Sequence, residues 1–174
     1  DMEHAVHELL KRAIRKHKKI IFNGNGYSEE WVKEAESRGL YNLISTPDCL
    51  PQFIVEKNVD LFTKHHIFTK DEIFSRYEIL LENYVKTILI EARTLSEMLT
   101  KDFLPAVSAF AGQTAKNAAS KKAFLPTLSM PAEEALVTKL TKTYMELTDG
   151  LTQLADLVRE AESIDDMQKE AEFC

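Results

Sequence analysis

The sequence predicts an all-α fold, a helical bundle with two long antiparallel helices and several shorter ones. Three observations carry this expectation. The 174 residues hold only five Gly and five Pro, too few for a loop-rich or all-β design. Apolar residues recur at threes and fours through two long windows, the period of an α-helix. Thr69 and Glu72 have the T-x-x-E spacing of a capping box in front of the first window, and Pro131 opens the second. The length suits one domain, 1–174, with a real hydrophobic core. Within it, 1–68 reads as short helices and an Asn-Gly turn, and 69–174 as the long-helix bundle.

Residues 2–18 open the chain as an amphipathic helix. Ala5, Val6, Leu9, Leu10, Ala13 and Ile14 fall on one stripe, with basic residues opposite. Ile20, Ile21 and Phe22 form a short apolar run, read as extended. Asn23, Gly24, Asn25 and Gly26 follow, and because Asn and Gly tolerate positive φ they read as a tight turn ending at Tyr27. Ser28 is placed to accept from the free amides of the next helix, and Glu29 and Glu30 favour its positive end. Trp31, Val32 and Ala35 give that helix an apolar face, and Gly39 terminates it.

Thr46-Pro47-Asp48 starts a short helix, with Pro51 near its first turn and Pro47 where a missing N–H breaks no helical bond. Glu56 to His65 is a further short helix carrying Val59, Leu61 and Phe62. From Lys70 past Leu99, Ile73, Tyr77, Leu80, Leu81, Tyr84, Ile88, Leu95 and Met98 mark one long helix. Pro105 is expected to break or kink it, with the Ala-rich stretch 106–119 continuing beyond. The last helix is expected from Pro131 to beyond Lys169. Val137, Tyr144, Leu151 and Val158 sit seven apart, as do Leu140, Leu147 and Leu154, a two-seam heptad pattern. Gly150 weakens that helix by about 1 kcal/mol relative to Ala.

The net charge of −6 gives no reason to expect nucleic-acid binding. Charge is uneven along the chain. Residues 1–20 hold six Lys/Arg against three Asp/Glu, net +3, and residues 133–174 hold four against eleven, net −7. Two solvated helix faces account for this, as does docking between the ends or with a partner. Cys49 and Cys174 imply no disulfide framework, so a reducing cytoplasm is the simplest setting. No apolar run approaches the roughly 18–20 residues of a membrane span, and no signal peptide is visible. The first residue is Asp1, and the chain reads as a piece of something longer.

Candidate chemistry is sparse. Asn23-Gly24-Asn25-Gly26 invites comparison with a phosphate-binding loop, but Glu29 stands where G-x-G-x-x-G needs its third glycine, so the turn is read as architecture. His4 and His7 share a helix face, while His65 and His66 diverge, and no third ligand has metal-site spacing. Cys49 reads as a small buried hydrophobe rather than a nucleophile. Ser28, Ser45 and Ser75 lie in no G-x-S-x-G elbow. Glu78, Glu82 and Glu91 lack the Glu-x-x-His partners of a di-iron bundle. Glu91 interrupts an apolar stripe and reads as a solvated edge position, with pairing to Arg93 or Lys86, or to a partner chain, as the alternatives. Tyr77, Tyr84 and Tyr144 read as core residues with a polar tip. No catalytic, cofactor-binding or metal residue is assigned. The motif singled out is structural, Asn23 to Ser28 with Trp31.

The run IIFNGNGYSEEWVKEAESRGL at 20–40 resembles the segment that follows the catalytic domain in type III glutamine synthetases. LPQFIVEKNVDLFTKH at 50–65, SRYEILLENYVKTILIEARTL at 75–95 and FLPAV around Pro105 extend the resemblance in the same order. It implies a parent enzyme that joins glutamate and ammonia using ATP, with magnesium or manganese in a carboxylate-lined funnel upstream of the NGNGY word. It implies that this region is the helical C-terminal extension, non-catalytic and without a cofactor of its own, with a role in assembly or regulation. The implied partners are the catalytic domain of the same chain and neighbouring subunits of a homo-oligomer of stacked hexameric rings. A self-contained helical protein–protein interaction module is the alternative. Two departures stand out. Lys64-His65-His66 replaces a common Lys-His-Gly, so His66 is strained if it occupies a left-handed turn. The family also continues into another helix and an aromatic-rich tail, whereas here the residues stop at Cys174, which predicts an exposed apolar stripe or altered association.

Overall fold

A computed structural model describes residues 1–174, which are all-α with no strand. They form two compact units, Asp1–Ser45 and Thr46–Cys174. The short-helix segment expected over 1–68 is therefore shared between the two.

In the first unit, α1 spans Met2–Lys16 and a 3-10 turn spans Lys18–Ile20. The Asp1 carboxylate accepts from the Glu3 amide at 3.3 Å, and Arg15 and Lys16 sit in the last turn, where a cation opposes the helix dipole. No residue of α1 is buried. Helix α2 spans Glu29–Ser37, and Ser28 Oγ accepts from the Trp31 amide at 3.3 Å, as its position predicts. Gly39, at φ 71, ends it in a Schellman motif. The Leu40 amide reaches the Ala35 carbonyl and the Gly39 amide the Glu36 carbonyl, both at 2.9 Å.

The second unit opens with α3 (Thr46–Cys49), a 3-10 segment (Leu50–Ile54) and α4 (Glu56–Lys64). Cys49 is exposed, against the expectation of burial, because it ends a single helical turn whose neighbour Leu50 takes the inward position. Helix α4 repeats the α2 terminator: the Ile67 amide reaches the Phe62 carbonyl at 2.9 Å and the His66 amide the Thr63 carbonyl at 3.1 Å. Here the left-handed residue is His66, at φ 53, so the strain expected from the missing glycine is present. His66→Gly is expected to stabilise the chain by roughly 0.5–1 kcal/mol, the relief of strain being partly offset by the freer unfolded chain. A melting temperature unchanged or lowered in this variant contradicts that account.

Next comes a continuous helical rod of 55 residues, Lys70 to Phe124. It begins at α5 (Lys70–Met98) with the capping box complete. Thr69 N–H donates to Glu72 Oε2 at 2.8 Å, and the Glu72 amide to Thr69 Oγ1 at 3.3 Å. These bonds favour the ionised carboxyl and hold Glu72 below its ordinary titration range. Pro105 does not break the rod. A π-helical turn, Leu99–Phe103, precedes α6 (Leu104–Phe124) and puts Pro105 in its first turn. The Leu104 amide reaches back five residues to Leu99, and the wider turn makes room for the proline ring.

Helix α7 (Pro131–Ala161) runs back antiparallel along the rod, and passes through Gly150 without interruption. Lys121 pairs with Glu133 at 3.0 Å near one end, and Arg93 pairs with Glu162 at the other. All seven heptad residues, Val137 to Val158, are half-buried along this seam. The last helix does not continue beyond Lys169 as expected. It ends at Ala161, and a separate α8 (Met167–Phe173) follows. The reason is local. Ser163 and Ile164 amides bond back to Glu160 and Ala161 carbonyls, and the Asp166 side chain caps α8 by accepting from the Lys169 amide at 2.9 Å. Helix α8 thus folds onto α5. Ala171 is buried with Leu81 and Val85, and Leu50, Tyr77, Tyr84, Leu89 and Cys174 pack around them.

Candidate functional site

The Asn-Gly segment is held by an aromatic stack. The Phe22 ring lies on Trp31, with centroids 3.8 Å apart and planes inclined by 20°. Gly24 allows this, since a Cβ there would stand 2.5 Å from Phe22 Cζ. Arg38, which sequence reasoning missed, completes the cluster. Its guanidinium is 5.3 Å from the Trp31 centroid, donates to the Lys19 and Ile21 carbonyls at 3.3 and 3.0 Å, and pairs with Glu34. The available signal was Glu34-x-x-x-Arg38, an i,i+4 pair.

The turn itself differs in mechanism from the expectation. Neither Asn23, Asn25, Gly24 nor Gly26 has positive φ. Instead the Asn25 side chain accepts from the Tyr27 amide at 3.1 Å, an Asx turn, and the Ser28 amide reaches the Asn25 carbonyl at 3.3 Å. Asn is used here for its side-chain acceptor. Tyr27 is left fully exposed at the tip. The arrangement can offer a phenol and amide groups to a partner.

The other sequence candidates do not converge. His4, His7, His65 and His66 are all exposed, and no three His, Cys, Asp or Glu side chains gather where they could hold a metal ion. Glu78, Glu82 and Glu91 are exposed. Glu82 pairs with Lys86 at 2.6 Å, and Arg93 is taken by Glu162, so neither suggested cation pairs with Glu91. Tyr77, Tyr84 and Tyr144 are half-buried. Tyr77 is the most constrained. Its hydroxyl donates to Gln168 Oε1 at 2.9 Å, and Gln168 Nε2 donates to the Pro47 carbonyl at 3.0 Å, tying α5, α8 and α3 together. Burial raises the Tyr77 phenol above its ordinary range, and the charges of Asp166, Glu172 and Glu78 raise it further.

Two surfaces stand out instead. One is the α1 stripe, where Val6, Leu9, Leu10 and Ile14 are each 49–58% exposed. The other is an apolar groove of about 270 Å³ between α5, α7 and α8, lined by Ile88, Ala92, Leu154, Leu157, Ala161 and Phe173.

The signature of the family described as "Glutamine synthetase C-terminal domain" matches residues 5–122. The chain belongs to the glutamine synthetase C-terminal domain family. A glutamine synthetase of Butyrivibrio fibrisolvens is 41% identical over 173 residues, covering 99% of this chain and 25% of that protein. A type-3 glutamine synthetase of Dictyostelium discoideum is 38% identical over 121 residues, covering 70% of this chain and 16% of its own length. A glutamine synthetase of Bacteroides fragilis is 30% identical over 115 residues, 66% of this chain and 16% of that one. The chain therefore spans about a quarter or less of the length of these relatives, and the type III resemblance of the NGNGY and later words is met by name in the second. The divalent ion expected of a whole synthetase meets no group of three His, Cys, Asp or Glu side chains among these residues. No step of the reaction is assigned to them. No helix is long and apolar enough to cross a membrane.

Proposed function

We propose that these residues are the assembly or regulatory part of a type III glutamine synthetase, and take no direct part in its chemistry. The whole enzyme ligates glutamate and ammonia with ATP and magnesium or manganese bound elsewhere in the chain, in the cytoplasm. The partners are the catalytic domain of the same chain and neighbouring subunits of a homo-oligomer.

The observation that carries this reading is surface. The α1 stripe and Tyr27 in the first unit, and the α5–α7–α8 groove in the second, leave apolar side chains open to water. Exposed apolar faces of this kind favour a protein neighbour.

The test is an assay of the purified 174-residue chain with glutamate, ammonium and ATP, alongside crosslinking to the remaining synthetase chain. We expect no glutamine, and crosslinks to the catalytic part. Turnover by the pure chain overturns the reading. A second reading, a self-contained helical interaction module, draws on the +3 and −7 ends. Crosslinks to proteins other than the synthetase favour it.

A further inference from the structure

Helix α1 and the α5–α7–α8 groove are complementary in kind. The first is an amphipathic helix with its apolar stripe unpartnered. Successive residues turn by 100°, which places Arg12 along one edge of that stripe and Lys11 along the other, with Arg15, Lys16, Lys18 and Lys19 following. The groove is apolar at its floor, and Leu157 and Phe173 in its wall remain 50% and 40% exposed. Its surroundings are strongly acidic. Residues 146–174 hold nine Asp/Glu against two Lys/Arg, a net of −7, and Glu91, Asp156, Glu160 and Glu172 are exposed there.

An apolar stripe edged by cations fits an apolar groove edged by carboxylates. The apolar faces supply the area, and the opposite charges fix orientation and speed encounter. We propose that α1 of one copy of this chain seats in the α5–α7–α8 groove of a second copy. Leu9, Leu10 and Ile14 enter the groove, and Lys11 and Arg12, at the edges of the stripe, meet the acids of α7 and α8. The inference rests on the assembly reading above and names the surfaces that serve it. The contact joins two different surfaces, so both copies can offer a helix and receive one.

The test is sedimentation of the whole chain from micromolar to millimolar concentration, at low and high salt. Leu9→Asp and Leu157→Asp probe the two surfaces, and both residues are half or more exposed, so the helical signal and melting temperature are expected to hold. The wild type is expected to self-associate, more weakly as salt rises. Each variant is expected to raise the dissociation constant by at least about ten-fold. An equal mixture of the two is expected to regain association, because each supplies the surface the other lacks. The proposal is overturned by a wild type that stays monomeric, by a Leu157→Asp chain that associates normally, or by a mixture that does not recover. Binding of the monomeric wild type to phosphatidylserine vesicles, lost in Leu9→Asp, assigns α1 to a lipid surface and also overturns it. Glutamine formation by the chain sinks the assembly reading, whereas monomeric behaviour without turnover sinks only this contact.

Discussion

Leu81→Ala is expected to destabilise residues 46–174 by about 3–4 kcal/mol, the largest effect of any single truncation proposed for this chain. Leu81 is 1% exposed and lies where α5 meets α8 and the 3-10 segment, packed with Val85 and Ala171 and ringed by Leu50, Tyr77 and Leu89. Few side chains here are fully buried, so the unit has little else to draw on. Removing three carbons forfeits their transfer from water and leaves a cavity that helices fixed on three sides cannot close. At about 2–4 °C per kcal/mol for a chain of this size, the melting temperature should fall by roughly 10 °C. Leu81→Met, which nearly conserves volume, should cost less than about 1.5 kcal/mol. A thermal scan followed by circular dichroism separates these outcomes, and an Ala variant that melts within a degree or two of wild type contradicts a core centred on this residue.

Trp31→Ala is expected to have the next largest effect, confined to the first unit. The indole is the surface on which Phe22 stacks and over which Arg38 lies, and Ala35 is the only buried residue there. Loss of an aromatic side chain of this size costs about 3 kcal/mol when fully buried. Trp31 is half-buried, so roughly 2 kcal/mol is expected, a near thirty-fold rise in the open population. Limited proteolysis after Lys19, Lys33 and Arg38 measures this directly, because cleavage follows the open fraction when reclosing is fast. Trp31→Phe keeps a ring for the stack and should show a much smaller increase. Equal cleavage rates in all three chains would remove the stack from any role in holding the NGNGY segment.

What could be read from sequence was what is local. The caps of α2 and α5 depend on one hydroxyl or carboxyl three residues from its target, a spacing visible in Ser28–Trp31 and Thr69–Glu72. The α7 seam was visible because seven residues close two helical turns. The misses share a different character. Arg38 acts on carbonyls seventeen and nineteen residues away, and no periodicity announces that. The end of α7 was hidden because the acidic run 160–172 keeps helical propensity, while the competing side-chain bond of Asp166 decides the break. The NGNGY turn was explained wrongly, and it lies from Asn25 to Ser28 rather than over 23–26, since Asn serves both left-handed backbone and Asx turns, and only geometry distinguishes them. His66 was legible only by resemblance: nothing in the residues alone asks for glycine there.

The rod from Lys70 to Phe124 carries a surplus residue. Its inward positions advance by three or four through Ala92, Ser96 and Leu99, take one stride of five to Leu104, and resume through Val107, Ala111 and Thr114. The π turn absorbs that stride, so α6 still presents the same side to α7. Deleting Thr100 together with Pro105→Ala would turn the stride into an ordinary one of four and leave every later side chain facing as before. Deleting a residue within α5 would instead swing all that follows by about 100° and carry Leu104 and Val107 out to solvent. The wide turn is the one joint at which the length of this helix can change without losing its phase.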